Sequence, residues 1–255
     1  MNRDKVDLKK IYNQVIEEYN KTLLSVKFGW KHTYEEYTLK QITILYKLIN
    51  SKSKILDIGT GSGIIPITFK KLGCEVITID YKETSGEALD NIKLFGLKSL
   101  NVNLNEGKLP FESEYFDLIY MGDVIEHLPN SPKKILLECN RVLKKNSKMI
   151  VSTPNSLRLI VRLKTLFGYS PWPEIKTFYY DEYNGTHHHE YSLSELKFVF
   201  TDNQFMIEKI HLFEQNLKVD KRLNSLFGKI IKKILLLILN FTPKLRSNII
   251  LVLKN

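Results

Sequence analysis

Ile55-Leu56-Asp57-Ile58-Gly59-Thr60-Gly61-Ser62-Gly63 is the stretch that decides how the rest of this chain is arranged. A short apolar run carries an acid, three glycines follow at alternate positions, and a mostly apolar run from Ile64 to Phe69 opens behind them. That order reads as a buried strand, a tight turn and the start of a helix. Glycines in such a turn let the backbone approach a ligand that any Cβ would hold off. The spacing is G-x-G-x-G, and Ile64 stands where the dinucleotide fingerprint G-x-G-x-x-G needs its third glycine. Asp57 places a carboxylate just ahead of the turn, an awkward neighbour for a pyrophosphate and a good one for a cation.

Working outward, residues 64–72 form a crossover helix, and Cys74 to Ile79 form a second strand that ends at Asp80, nineteen residues beyond Gly61. An acid at that point can accept both ribose hydroxyls of a nucleoside. The pattern then predicts a helix over 84–96, a short strand over 101–104, a fourth strand from Tyr115 to Tyr120, a helix over 132–145 and a fifth strand from Lys148 to Asn155. After a gap, residues 193–203 read as the last crossover helix, 205–210 as strand six and 248–253 as strand seven. Upstream, residues 4–27 and 36–50 have helical spacing, interrupted at Phe28-Gly29-Trp30, and pack ahead of the sheet; Trp30 and Tyr34 either pack or line a pocket. Alternating strands and helices specify a three-layer α/β domain with a mostly parallel sheet. The expected organisation is an N-terminal helical segment over 1–50 and a sheet domain over 51–255.

Five features follow one another in register: Asp57 with its glycines, Asp80, Leu109-Pro110-Phe111 followed by Phe116-Asp117, Glu126-His127-Leu128, and Thr153-Pro154-Asn155. Over about residues 50–210 they resemble the class I S-adenosylmethionine (SAM) dependent methyltransferases, notably ubiquinone-pathway O-methyltransferases and methyltransferases of surface-polysaccharide clusters. The resemblance implies a Rossmann-like seven-stranded sheet whose final strand inserts antiparallel beside strand six, and SAM as cofactor. It puts Asp57, Gly59, Gly61 and Gly63 at the methionine end of that cofactor, Asp80 at the ribose, and Tyr81, Asn105 and Glu106 around the adenine; Thr60 and Met121 complete the set. Asn105 departs from the acid of the family, although a carboxamide can still pair with an adenine amino group. Lys145-Asn146-Ser147 replaces the usual Pro-Gly-Gly, and asparagine also suits turns.

Methyl transfer is an in-line displacement, so positioning supplies most of the catalysis, and a hydroxyl acceptor must also lose its proton. His127, just past strand four, is the first candidate base; its other reading is a histidine that orients a helix start. His187 is the second candidate, at the end of a long aromatic insertion over 156–191 that reads as a substrate lid. Asp123-x-x-Glu126-His127 with a later His also looks like the metal pattern of small-RNA 2′-O-methyltransferases and some ubiquinone-pathway enzymes, with all three side chains on one face if helical. Whether an ion is held there stays open.

The net charge of +10 is uneven: from Gln215 onward stand nine basic residues and one acid, Asp220. Such asymmetry points to a local acidic partner. Residues 215–246 include an apolar helix from Phe227 to Phe241 with Lys229, Lys232 and Lys233 near its start, too short to span a membrane. It reads either as a cover for the sheet or as an anchor on a membrane surface. Cys74 and Cys139 lack metal or redox spacing and read as buried thiols in a reducing compartment, and the charged N-terminus is not a secretory leader, so a cytoplasmic location is expected. The expected function is methyl transfer to a small-molecule or lipid-linked acceptor, most simply at oxygen of a sugar or quinone ring. A nucleic-acid methyltransferase and a non-catalytic SAM-binding subunit are the alternatives; the chain has Gly122-Asp123-Val124-Ile125 where amino-directed nucleic-acid enzymes carry an Asn/Asp-Pro-Pro-Tyr motif, so nucleic acid is not the expected partner.

Overall fold

The computed structural model describes residues 6–22, 35–81, 92–171, 179, 187–215 and 226–255. Its elements are α1 (Leu8–Asn20), α2 (Glu35–Tyr46), β1 (Lys54–Ile58), α3 (Ile64–Lys71), β2 (Glu75–Asp80), β3 (Lys98–Asn101), β4 (Phe116–Gly122), α4 (Lys133–Val142), β5 (Leu143–Pro154), α5 (Leu159–Leu166), α6 (Leu193–Asp202), β6 (Met206–Phe213), α7 (Leu226–Phe241) and β7 (Asn248–Lys254). The seven strands form one sheet in the order β3-β2-β1-β4-β5-β7-β6. β1 pairs in parallel with β2 and β4, whereas β7 runs antiparallel between β5 and β6. This is the expected seven-stranded, mostly parallel α/β sheet with its antiparallel final strand.

β1 and β4 read as nearly continuous apolar runs because both of their faces are covered. On one face, Tyr12, Val15 and Tyr19 of α1, with Ile42 and Leu45 of α2 and Ile67 of α3, close over Ile55, Leu118 and Ile150. On the other, Ile135, Leu136 and Cys139 of α4 and Leu196 and Phe200 of α6 close over Leu56, Ile119 and Met149. α6 starts in a capping box: Ser192 Oγ accepts from the Glu195 N–H at 3.3 Å, and Glu195 Oε2 accepts from the Ser192 N–H at 2.7 Å. Both cysteines are buried free thiols, and burial pushes the Cys74 thiol up to about 11, which leaves it inert.

Three element readings need correction. β3 lies over Lys98–Asn101 and not over 101–104, since Asn101 pairs with Asp80; Val102 is buried just beyond it, and the Asn103 side chain accepts from the Asn105 N–H at 3.1 Å to start a 3-10 turn over Leu104–Glu106. α4 stops at Val142 because the chain passes directly into β5, whose Leu143 pairs with Phe116; Asn146 supplies the bend there at φ +60. α7 does not cover the sheet. From Lys229 onward only its Leu239 is buried, while Ile230, Ile234, Leu237 and Phe241 face solvent.

Candidate active site

The carboxyl ends of β1 and β4, and the helix α2 above them, enclose a cavity of about 260 Å³. Asp57, Gly59, Thr60, Gly61 and Gly63, five of the residues expected at the cofactor, line it together with Tyr37, Thr38, Gln41, Tyr120, Gly122 and Asp123. All three glycines have positive φ, at +82, +48 and +75. They serve different ends. A Cβ on Gly59 would collide with the Val124 side chain, so packing demands glycine there. A Cβ on Gly61 would meet no atom of the described residues within 4 Å, so it would stand in open space. Gly61 is therefore a cradle position that a side chain would fill.

Two polar atoms of this cradle lack partners among the described residues. Asp57 Oδ2 and Thr60 Oγ1 are buried with no hydrogen-bond partner among the described residues. Burial first, and then the charge of Asp80, raises the Asp57 carboxyl well above the ordinary carboxylate range. A buried polar atom left unpaired costs roughly 1–3 kcal/mol, and more if charged. Two such atoms beside an open cradle suit a cationic, hydrogen-bonding ligand, and the ammonium and nucleoside of SAM fit that donor set. Asp80 is tied to the same turn: Oδ2 accepts from the Gly61 N–H at 3.3 Å and Oδ1 from the Tyr81 N–H at 2.8 Å. Burial raises its carboxyl as well, and those backbone donors pull the other way.

The other expected cofactor residues are placed differently. Asn105 and Glu106 are exposed on their 3-10 turn, and with Tyr81 they lie outside the lining of the cavity. Met121 is completely buried in the core beneath the sheet edge; because side chains alternate along β4, Tyr120 and Gly122 form the wall instead. Trp30 and Tyr34 fall outside the described residues.

A second cluster adjoins the first. After β4 the chain turns at Asp123, whose φ of +54 is left-handed, and a 3-10 turn over Ile125–His127 follows. The expected helical face through 123, 126 and 127 does not form, because the helical turn starts only at Ile125. Asp123 Oδ1 accepts instead from the Tyr37 hydroxyl at 3.0 Å on the cavity side. Glu126, His127 and His187 do converge: their ligating atoms lie within 4.8 Å of one another. The His127 and His187 rings meet edge-on with centroids 4.7 Å apart. The segment after His187 is fastened here, since the His188 and His189 N–H groups donate to the Glu126 carbonyl at 2.7 and 3.2 Å. Thr153, from the Thr-Pro-Asn run, donates to Glu126 Oε2 at 2.9 Å, and Glu126 Oε1 has no partner among the described residues. Burial raises the carboxyls of both Asp123 and Glu126; the charge of Asp123 raises Glu126 further, whereas Tyr37 and His187 pull Asp123 the other way.

His187 Nδ1 lies 2.8 Å from Glu190 Oε1, and Glu190 also pairs with Arg158. Burial alone would raise the Glu190 carboxyl, but His187 and Arg158 outweigh it and hold it at about 2. An ionised Glu190 can only accept, so Nδ1 of His187 carries the hydrogen and, in the neutral ring, Nε2 carries the lone pair. Glu190 and Arg158 were not singled out in the sequence; the signal for Glu190 was its i, i+3 spacing from His187. Tyr37, Thr38 and Gln41 were missed too. Their signal was a polar patch on the otherwise apolar buried face of α2, where Gln41 Nε2 donates to Ser152 Oγ at 2.8 Å.

Comparison with known proteins agrees with this arrangement. The family described as a methyltransferase domain matches residues 30–210. The chain is 30% identical over 139 residues to a ubiquinone biosynthesis O-methyltransferase of Rickettsia akari, a match covering 51% of this chain and 53% of that protein. It is 25% identical over 146 residues to a demethylmenaquinone methyltransferase of Tropheryma whipplei, covering 57% and 58% of the two chains. The chain thus spans about half the length of the curated relatives it matches. Among solved structures, a SAM-dependent methyltransferase from Archaeoglobus fulgidus superposes with a TM-score of 0.59 at 20% identity, over 91% of this chain and 98% of that one, so the two share a fold. On the match across 30–210, carried by a sheet of this topology with a glycine cradle at its edge, the chain belongs to the methyltransferase-domain family.

Proposed function

We propose that this chain transfers the methyl group of SAM to an oxygen of a small-molecule or lipid-linked acceptor, of the quinone-ring or sugar class. The observation that carries the reading is the His187–Glu190 pair held against His127 beside the glycine cavity. When bound, SAM supplies a methyl carbon made electrophilic by its sulfonium. Asp57 and Thr60 would hold the methionine end, where their orphaned oxygens await donors, and Asp80 would hold the ribose. His187 Nε2 takes the proton of the acceptor hydroxyl, and Glu190 stabilises the imidazolium that results. The name of the ubiquinone-biosynthesis relative, an O-methyltransferase, supports an oxygen acceptor of the quinone-ring class.

One observation favours a second role for the same groups. Glu126, His127 and His187 could hold a divalent ion, with Glu190 orienting His187 from its other nitrogen. The ion would then bind the acceptor oxygen and lower its pKa. Transfer of a labelled methyl group to catechol, hydroxyquinone and sugar acceptors tests the main reading, with and without chelator. Calorimetric titration of magnesium, manganese and zinc into the wild type and Glu126→Gln tests the ion. SAM binding without transfer to any acceptor would favour a non-catalytic subunit.

A further inference from the structure

We propose that α7 is a membrane-surface anchor that seats this chain on an anionic phospholipid bilayer. Ile230, Ile234, Leu237, Ile238 and Phe241 fall at i, i+4, i+7, i+8 and i+11, which places them in one stripe along the helix. Their exposures are 47, 52, 57, 39 and 80%. Leu239 is the seat of the helix on the body, 1% exposed, so the stripe is presented outward and not folded under. Lys229 and Lys233 are exposed on the flank, Lys232 is exposed on the side of Leu239, and no acid stands anywhere in the helix. Isolated exposed leucines need no explanation, but a continuous apolar stripe does.

The position of α7 gives the anchor a purpose. β7 follows it and enters the sheet with Asn248 opposite Pro154, at the carboxyl end of β5. The Asn155 side chain donates to the Lys244 and Arg246 carbonyls at 2.9 and 2.8 Å, which fastens the α7–β7 connection to the edge that carries the histidine cluster. α5 leaves the same end of β5, and its last residue Leu166 with Phe167 and Tyr169 of the turn that follows are exposed at 76, 74 and 68%, beside exposed Arg162 and Lys164. A bilayer meeting both elements would face the acceptor side of the site.

Charge selects the occupant. A second copy docked on this stripe would cover the apolar residues and leave the lysines without a counter-charge, since the helix carries no acid. An RNA would satisfy the lysines and leave the apolar stripe in water. An anionic bilayer satisfies both, with the apolar face in the acyl boundary and the lysines at the headgroups. Among the described residues no helix is long and apolar enough to cross a membrane, so the contact is interfacial.

Co-sedimentation with phosphatidylcholine vesicles, with and without phosphatidylglycerol, tests this independently of the acceptor. The wild type should bind the anionic vesicles and release as salt is raised. Replacing Lys229, Lys232 and Lys233 together by glutamine should weaken binding on the order of a hundredfold. Leu237→Asn with Phe241→Asn should weaken it at least about tenfold, with melting temperature and SAM binding unchanged because both side chains face outward. Equal failure to bind both vesicle types overturns the proposal. So does sensitivity to the lysine changes alone, with matching loss of RNA binding, which would mark a polyanion site. A dimer that the Leu237/Phe241 variant dissolves also overturns it, since the stripe would then belong to a second copy.

Discussion

Replacing Gly61 by alanine separates binding from folding at one methyl group. At φ +48 a Cβ meets the following carbonyl, which costs about 1–2 kcal/mol. The loss of backbone freedom in the unfolded chain returns about 0.4–1 kcal/mol of that. No atom of the described residues lies within 4 Å of the new methyl, so no packing strain adds to the sum. The net destabilisation is about 1 kcal/mol, which in a chain of this size lowers the melting temperature by about 2–4 °C. The methyl would stand where the ligand backbone approach is required, so SAM affinity should fall about a hundredfold, or roughly 2.7 kcal/mol. Gly59→Ala provides the contrast, because its Cβ collides with Val124 and should cost a further 1–3 kcal/mol or so of overpacking. Thermal unfolding and calorimetric titration of SAM on both variants give the result. If Gly61→Ala binds SAM as tightly as the wild type, the ligand does not lie over this turn. If it melts as low as Gly59→Ala, the cradle is packed and not open.

Four further outcomes are expected. Binding of SAM should release a proton, because burial and Asp80 keep the Asp57 carboxyl raised and a cation would ionise it; calorimetry in buffers of different ionisation heat should show the release in the wild type and none in Asp57→Asn. The same raised carboxyl stabilises the unliganded protein at low pH, and that contribution is lost as pH rises through its folded value, so Asp57→Asn should remove this slope from a pH series of melting temperatures. Asp80→Ala should abolish calorimetric SAM binding while His127→Ala leaves it largely intact; normal binding by both would refute the division of the site. Glu190→Gln should lower kcat on the order of a hundredfold with SAM affinity unchanged, as loss of the group that sets the His187 tautomer requires.

The legible parts of this molecule are those encoded within one strand–turn–helix unit. The run from Ile55 to Gly63 predicted a strand, a turn and a helix start, and each is present, because alternating glycines and an apolar run act over a few residues. The β-branched run over 248–253 likewise marked β7. What was hidden depends on partners far away in the chain. β3 was displaced because its register answers to β2 and not to its own apolar residues. Met121 looked like a strand-end ligand residue, yet the pleat turns it inward. The Tyr37 contact with Asp123 spans 86 residues, and no local pattern could announce it. The left-handed turn at Asp123 was concealed in the same way, since its carbonyl neighbour Ser152, accepting from the Asp123 N–H at 2.8 Å, comes from β5.

That turn at Asp123 also explains why the two halves of the site belong together. Were residues 123–127 a continuous helix, Asp123 would join Glu126 and His127 on one face and no longer meet the Tyr37 hydroxyl above the cavity. The positive φ swings its carboxylate to the other side, where it lines the glycine cavity and accepts from α2. Yet its charge still acts on Glu126 and is itself eased by His187. One residue is thus shared by the wall that would hold a cofactor and the cluster that would handle an acceptor proton. Filling the cavity with a cationic ligand would favour the ionised form of Asp123, which in turn disfavours ionisation of Glu126. The sequence therefore spends a strained backbone position where coupling between the two sides is wanted, and the N-terminal helix, through Tyr37, holds that position in place.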